Sequence, residues 1–107
     1  KYSWMQTAAS DEELSEETLP MEFGLNQNYP NPFNPSTEIS FSLPKATHVT
    51  LEIFNVMGQR VTMVTEGNRE AGIHTVTWDG RSEASGVYFY RLTTPEFVQT
   101  KKMLLMK

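Results

Sequence analysis

The chain of 107 residues suits one domain, and its 38% hydrophobic and 11% aromatic content supports one compact core. Cysteine is absent, which excludes disulfides and thiolate metal sites, and the sequence predicts neither a membrane span nor a signal peptide. Of the net charge of −4, residues 1–22 hold −5, from six acids and one lysine, so residues 23–107 hold +1. Neither portion has the basic stripe that nucleic-acid binding requires.

Residues 1–22 are predicted to be an acidic linker or the tail of a preceding domain. Their acidic part has few apolar residues, such as Leu14, which is too little to bury one face of a helix. Ser10 and Glu13 form a capping box that favours at most one short helical turn. Residues 1–6 alternate weakly and are interpreted as an added strand or the last strand of a preceding domain. The lack of an initial methionine indicates a fragment or a processed form.

Residues 28–35, NYPNPFNP, combine three prolines, three asparagines and two aromatics. Proline lacks an N–H and biases the preceding residue toward extended conformations, so this segment is predicted to be stiff without being a strand. The asparagines are expected to bond their own backbone two residues further on. Tyr29 and Phe33 are predicted to anchor the segment, which could equally serve as a cover that blocks pairing at a sheet edge.

From residue 22 onward the apolar residues recur with a period of two, which predicts antiparallel strands with one buried face. The predicted strands are 23–27, 38–43, 48–54, 60–66, 73–78, 87–94 and 97–107. The predicted core consists of Ile39, Phe41, Leu43, Val49, Leu51, Ile53, Val76, Trp78 and Leu92. Truncating a core aromatic is expected to cost several kcal/mol of stability.

Turn signals separate these strands at nearly regular spacing. Asn55 to Gly58 fits a type I turn, residues 66–72 are predicted to form a loop, and Asp79-Gly80 is a hairpin or turn signal. About seven short strands without a helical period predict an all-β, immunoglobulin-like antiparallel β-sandwich. The Cys…Trp…Cys pattern of antibody domains is missing.

Catalytic, cofactor and metal sites are not predicted. His48 and His74 are far apart in sequence and lack a metal-ligand spacing, and Asp79 fits a turn better than a catalytic carboxylate. Two other functions remain open at this point. One is a carbohydrate-binding accessory module with a sugar-stacking face built from Trp4, Trp78, Tyr88 and Tyr90. The other is a building block of an extracellular assembly that adds residues 1–6 to a neighbour's sheet edge.

Five stretches follow one another along residues 23–107: NYPNPFNPSTEISFSLP, NVMGQRV, AGIHTVTWDG, SGVYFYRL and TKKMLLMK. Together they resemble the type A C-terminal sorting domain of proteins exported by the type IX secretion system of Bacteroidota and related phyla. The resemblance implies a seven-stranded β-sandwich attached to a larger exported protein. One departure is the segment between Asp79 and Gly86, which is shorter than in many members.

The resemblance also implies a function, which is secretion and cell-surface sorting without catalysis, through the periplasm of a Gram-negative bacterium. The partners it implies are the outer-membrane export machinery and a sortase-like protease, and edge strands allow self-association.

The family signature falls on Asn28, Tyr29, Pro30, Asn31, Pro32, Phe33, Gly58, Gly86 and Tyr88. The terminal segment associated with export contains Lys101, Lys102, Met103, Leu104, Leu105 and Lys107. Adjacent lysines point to opposite strand faces, so at least one must be exposed or lie along the sandwich. Protection of a free edge explains these lysines as well as recognition does.

Overall fold

The computed structural model describes residues 20–107, and seven β-strands lie within them. The strands are β1 (Gly24–Leu25), β2 (Ser36–Leu43), β3 (Thr47–Phe54), β4 (Arg60–Arg69), β5 (Gly72–Asp79), β6 (Gly86–Thr94) and β7 (Phe97–Leu105). This part of the chain contains no helix, and therefore none that could cross a membrane. The predictions for residues 1–6 and for the capping box at Ser10 lie outside the described residues.

Two sheets form the sandwich. The first is three-stranded with the order β1-β2-β5, and the second is four-stranded with the order β4-β3-β6-β7. Every pairing between these strands is antiparallel. The predicted immunoglobulin-like β-sandwich is therefore confirmed.

The alternation along β2 and β3 explains how the core forms. Ile39, Phe41 and Leu43 of β2 are all fully buried, while the side chains between them reach the outer face of the sheet. Val49 and Leu51 do the same in β3, so the apolar phases of the two sheets face each other. The buried cluster consists of Leu25, Phe33, Ile39, Phe41, Leu43, Val49, Leu51, Ile53, Trp78, Tyr88, Tyr90, Leu92, Met103 and Leu105.

All predicted core residues are buried except Val76, which is half-buried and packs against the cluster. Val76 lies in β5 at the edge of its sheet, so one side of its side chain has no neighbouring strand. The prediction omitted Tyr90 of β6 and both Met103 and Leu105 of β7. β6 carries large apolar residues on both of its faces, and β7 carries two adjacent lysines, so the sequence does not show which face of either strand is buried.

The predicted turn at Asn55 is confirmed, and it fixes the β3–β4 connection. The Gly58 amide donates to the Asn55 carbonyl at 3.0 Å, and the Asn55 side chain accepts from the amides of Met57 and Gln59. Gly58 has a φ of 82°, in the left-handed region that favours glycine. This turn sets the register of the two strands that it joins, β3 and β4.

The loop predicted over residues 66–72 is wrong for most of its length. β4 continues to Arg69 and β5 begins at Gly72, so only two residues connect them. Pairing with β3 overrides the turn-like composition, since Val49 lies opposite Gly67 and Thr47 lies opposite Arg69. The opposite error affects the first strand, which is two residues long where five were predicted.

Candidate recognition site

The last strand, β7, lies at the edge of the four-stranded sheet and pairs on one side with β6. Its side chains alternate, so Met103 and Leu105 are buried in the core while Lys102 is exposed on the outer face. Lys101 lies on the core face, opposite Tyr90 of β6, and is half-buried. The two adjacent lysines therefore point to opposite faces, as predicted.

The proline-rich segment covers the free edge of β7 where that strand ends. The Phe33 amide donates to the Leu104 carbonyl at 3.0 Å, and the Met106 amide donates to the Phe33 carbonyl at 2.9 Å. These two bonds form a parallel bridge between Phe33 and Leu105. The cover of a sheet edge, which the sequence left as an alternative, is therefore what the backbone of this segment provides.

Two side chains, one from this segment and one from the preceding Gln27, extend the cover along β7. The Asn31 carbonyl oxygen Oδ1 accepts from the Leu104 amide at 3.0 Å, and the Gln27 amide Nε2 donates to the Lys102 carbonyl at 2.8 Å. The Asn31 side chain thus bonds the backbone of β7, and the prediction that it bonds its own backbone two residues further on is wrong. The Gln27 side chain thus acts in place of a backbone N–H donor, and the Asn31 side chain acts in place of a backbone carbonyl acceptor.

Phe33 anchors this cover in the core, as predicted. Its side chain is 2% exposed and its ring centroid lies 5.8 Å from that of Trp78, which in turn meets Tyr88 at 5.7 Å. Tyr29 does not anchor the segment through its ring, which is 80% exposed, so that prediction is wrong. The Tyr29 backbone instead exchanges two hydrogen bonds of 2.9 Å with Glu38 of β2.

A groove of about 300 Å³ lies between the cover and the outer face of β7. It is lined by Asn31, Pro32, Val87, Lys102, Met103 and Leu104. The groove thus brings residues of the proline-rich segment next to residues of the terminal segment. Beyond it, the Lys107 ammonium donates to the Arg81 carbonyl at 2.6 Å, and the Lys107 amide donates to the Ser85 hydroxyl at 3.0 Å.

The other signature glycines have different places in the fold. Gly86 begins β6 opposite Leu105 and has a φ of 151°, so it belongs to the same end of β7. Gly58 lies in the turn between β3 and β4, and β6 separates β3 from β7 in the sheet. The structure therefore does not bring Gly58 to the candidate site.

A family model described as "Secretion system C-terminal sorting domain" matches residues 27–106, which include the cover and all of β7. The chain belongs to this family. Its members are the C-terminal sorting signals of proteins that the type IX system exports through the periplasm to the cell surface or the medium. The sorting function and location that the sequence predicted are therefore confirmed, and the family is non-catalytic by nature.

One of the similar solved structures supports the fold. PorZ, an essential bacterial surface component of the type IX secretion system of Porphyromonas gingivalis, aligns with a TM-score of 0.50 and 19% identity. The alignment covers 79% of this chain and 11% of PorZ. The Pseudomonas fluorescens alkylpurine DNA glycosylase AlkC, bound to DNA with an abasic site analogue, aligns at a TM-score of 0.43. That match has 11% identity and covers 80% of this chain and 31% of AlkC, and it supports no conclusion about this chain. None of the curated proteins matches the chain.

Within residues 20–107, the aromatics considered from the sequence do not form a sugar-stacking face. Trp78, Tyr88 and Tyr90 are all buried, so three of the four aromatics of that face are core residues, while Trp4 lies outside the described residues.

The histidine and aspartate considered as metal or catalytic residues have other contacts. The His74 ring stacks on the Phe41 ring, with 5.5 Å between their centroids. Within residues 20–107, no cluster of three potential metal ligands occurs. Asp79 accepts from the Arg81 amide at 2.9 Å, as a turn residue does.

A buried polar cluster, which the sequence did not reveal, holds the start of the cover. The Tyr90 hydroxyl donates to the Asn26 carbonyl at 2.7 Å and accepts from the Asn28 amide at 2.8 Å. Asn28 is 2% exposed, and its side-chain amide donates to the Thr37 hydroxyl at 2.9 Å and the Pro30 carbonyl at 3.1 Å. Of the three asparagines, Asn28 thus does bond the backbone two residues further on. The one available signal was Tyr90 itself, because a buried tyrosine hydroxyl usually has a hydrogen-bond partner.

This cluster predicts a loss of stability at alkaline pH. Burial raises the pKa of Tyr90 to about 12, against a smaller lowering by the Asn28 amide. The unfolded chain loses this proton near pH 10, so the stabilisation is complete below about pH 10 and is lost as the pH rises through about 12. We expect the free energy of unfolding to fall by about 2 to 3 kcal/mol over this range. Urea denaturation at a series of pH values measures it.

Tyr90→Phe is the control for the alkaline effect. It removes the titrating group, so the free energy of unfolding should depend less steeply on pH. Some dependence should remain, because burial also raises the pKa of Tyr88. The variant should lose about 1 to 3 kcal/mol at neutral pH, because the Asn28 amide and the Asn26 carbonyl lose their partner. An unchanged alkaline slope in this variant would contradict the assignment to Tyr90.

Proposed function

We propose that the type IX export machinery recognises this sorting domain through the outer face of β7 and the adjoining proline-rich cover. In this proposal Lys102 and Lys107 are the side chains that the machinery contacts. The observation that carries it is the groove in which Pro32 and Asn31 of the cover lie beside Lys102. The two regions that distinguish the family in sequence thus form one surface.

The terminal residues divide into two groups by burial. Met103 and Leu105 are inaccessible in the folded domain, so they support the strand, while Lys102 and Lys107 are exposed and Leu104 is half-buried. An exposed cation beside an apolar groove suits an acidic residue next to an apolar side chain on the partner. Lys101 is half-buried on the core face and contributes less to direct contact.

Recognition through side chains fits the geometry better than addition of a strand along the whole of residues 101–107. The outward amide and carbonyl of Leu104 are already bonded to Asn31 and Phe33, and the Lys102 carbonyl is bonded to Gln27. A partner strand would have to displace the cover and extract Phe33 from the core. That displacement exposes a large aromatic side chain to water, which is strongly unfavourable.

The remaining parts of the proposal concern the chain as a whole. Residues 1–22 act as an acidic linker to an exported protein, and residues 23–107 act as the sorting domain. The domain performs no catalysis of its own and binds no metal or cofactor in order to function. A sortase-like protease is its second partner, acting after export.

An export assay tests the recognition surface. The 107-residue chain is fused to the C-terminus of a periplasmic reporter in a host with type IX export, and the reporter is measured in periplasm, surface and medium. The intact fusion should reach the surface or the medium. Lys102→Ala should reduce the exported fraction severalfold with an unchanged melting temperature, because the lysine makes no contact that the core needs.

Lys45→Ala is the matched control, since Lys45 is an exposed lysine that pairs with Glu96 away from the groove. It should export normally. Equal export of the Lys102 and Lys45 variants would contradict recognition through Lys102 and leave that lysine as edge protection. Retention of the intact fusion in the periplasm would contradict the sorting function of this chain itself.

A further inference from the structure

The second unpaired edge of the sandwich belongs to β5. The carbonyls of Glu38 and Ser40 in β2 accept from the amides of Tyr29 and Asn26, so they point toward β1. The backbone groups of the residues that alternate with them, Thr37, Ile39 and Phe41, therefore point toward β5. Their partners in β5 are His74, Val76 and Trp78. Because backbone groups alternate along a strand, the N–H and C=O groups of Ile73, Thr75 and Thr77 point away from the sheet. Within residues 20–107, no strand pairs with this side of β5.

The other long edges of the sandwich are protected, and β5 is not. β4 departs from regular pairing at two register shifts in its ladder with β3, and the end of β7 is covered by Phe33. By contrast, β5 pairs with β2 in regular register over all eight of its residues. Its stretch IHTVTW has no proline, lysine, arginine or acid, which are the residues that usually block pairing at an edge, and the one acid of β5 is Asp79 at its end, paired with Arg81.

Charges at the two ends of β5 indicate which strand it would accept. Glu70 precedes β5 by two residues and Arg81 follows it by two, and both are exposed. Arg81 also pairs with Asp79, the last residue of its own β5, at 2.9 Å. In an antiparallel pairing of β5 with itself, the beginning of one copy meets the end of the other. Each Arg81 then lies beside Glu70 of the second copy, where opposite charges are favourable. A parallel pairing would place like charges together.

We propose that β5 is a self-pairing edge through which two copies of this chain form an antiparallel dimer with one continuous six-stranded sheet. The two-fold axis passes beside Val76, so that Val76 faces Val76 of the second copy and Thr75 lies opposite its Thr77. This register bonds the outward groups of Ile73, Thr75, Thr77 and Asp79, with roughly eight backbone hydrogen bonds. β5 and the groove beside β7 lie at edges of different sheets, and the Lys107 ammonium reaches the end of β5 through its hydrogen bond to the Arg81 carbonyl.

Disulfide trapping tests the register, because the chain has no cysteine. Val76 faces its copy in a non-hydrogen-bonded pair with Cα atoms about 4.5 Å apart, which a disulfide can bridge. Val76→Cys should therefore cross-link into covalent dimers under mild oxidation. Thr75→Cys is the matched control, since each Thr75 faces Thr77 and not itself, and it should cross-link poorly. Efficient cross-linking of the control but not of Val76→Cys overturns the proposal.

Sedimentation velocity of the 107-residue chain, from micromolar to millimolar concentration, tests the dimer. Thr75→Pro removes an outward N–H at an edge position that tolerates proline and should leave a folded monomer, whereas Thr75→Val should dimerise like the parent. Glu70→Arg or Arg81→Glu should each weaken the dimer roughly tenfold, and the double exchange should restore it. A parent chain that stays monomeric at millimolar concentration overturns the proposal. So does a monomer that binds only a foreign extended peptide along β5.

Discussion

Replacing Phe33 by alanine is expected to lower the free energy of unfolding by about 3 to 5 kcal/mol, as for other buried aromatics. Phe33 is 2% exposed and packs on Trp78, so its loss leaves a cavity that the stiff proline-rich segment cannot close easily. The cover should also loosen, because its hydrogen bonds to Leu104 and Met106 depend on this anchor. Urea denaturation measures the stability, and hydrogen exchange at the Met106 amide measures the cover.

Tyr29→Ala provides the comparison, because it removes an aromatic from the same segment. The Tyr29 ring is 80% exposed, so we expect a change within about 0.5 kcal/mol. The contrast between the two variants tests the division between a buried anchor and an exposed ring. Equal destabilisation by both would contradict it, and so would a Phe33→Ala variant whose Met106 amide exchanges no faster than that of the parent chain.

Phe41→Ala is expected to have an effect of similar size, about 3 to 5 kcal/mol, in a different part of the core. Phe41 is fully buried in β2, the central strand of the three-stranded sheet, and stacks with His74 at 5.5 Å. In a domain of this size each kcal/mol lowers the melting temperature by about 4 to 8 °C. Thermal melting followed by circular dichroism should therefore show a large decrease or an unfolded variant.

Phe54→Ala is the matched control for the phase of the strands. Phe54 lies in β3 next to the buried Ile53 and therefore on the outer face, where it is half-buried with Arg91 4.5 Å above its ring. Its truncation should cost about 1 kcal/mol, the size of an exposed cation–π contact. A Phe54 variant less stable than the Phe41 variant would reverse the assignment of buried and exposed faces.

Some elements could be predicted because their information is local. Apolar residues occupy every second position from Ile39 to Leu43 in β2 and from Val49 to Ile53 in β3, and this alternation identifies the buried face without knowledge of the partner strand. The turn from Asn55 to Gly58 is likewise specified within four residues, by an asparagine side chain that accepts amide hydrogens and by a glycine that tolerates positive φ because it has no side chain.

Other elements could not be predicted because their information is distant. Residues 66–69 read as a loop, yet they pair with β3, and the order of the strands makes β5 and β7 edges. Asn28 and Tyr90 are separated by 62 positions, and their hydrogen bond has no trace in either local pattern. Burial and edge position depend on which strands become neighbours, which composition does not reveal.

The sequence by itself determined the all-β sandwich, the phase of its central strands, the family and the sorting function, because periodicity and ordered motifs are properties of the chain. The tertiary structure decided which of two similar aromatics, Phe33 and Tyr29, is the anchor, and which terminal residues are accessible. It also decided that the proline-rich segment covers β7 while β5 stays open. The physical reason is that a side chain's burial and a backbone group's partner are set by the neighbouring strand, and that neighbour is distant in sequence.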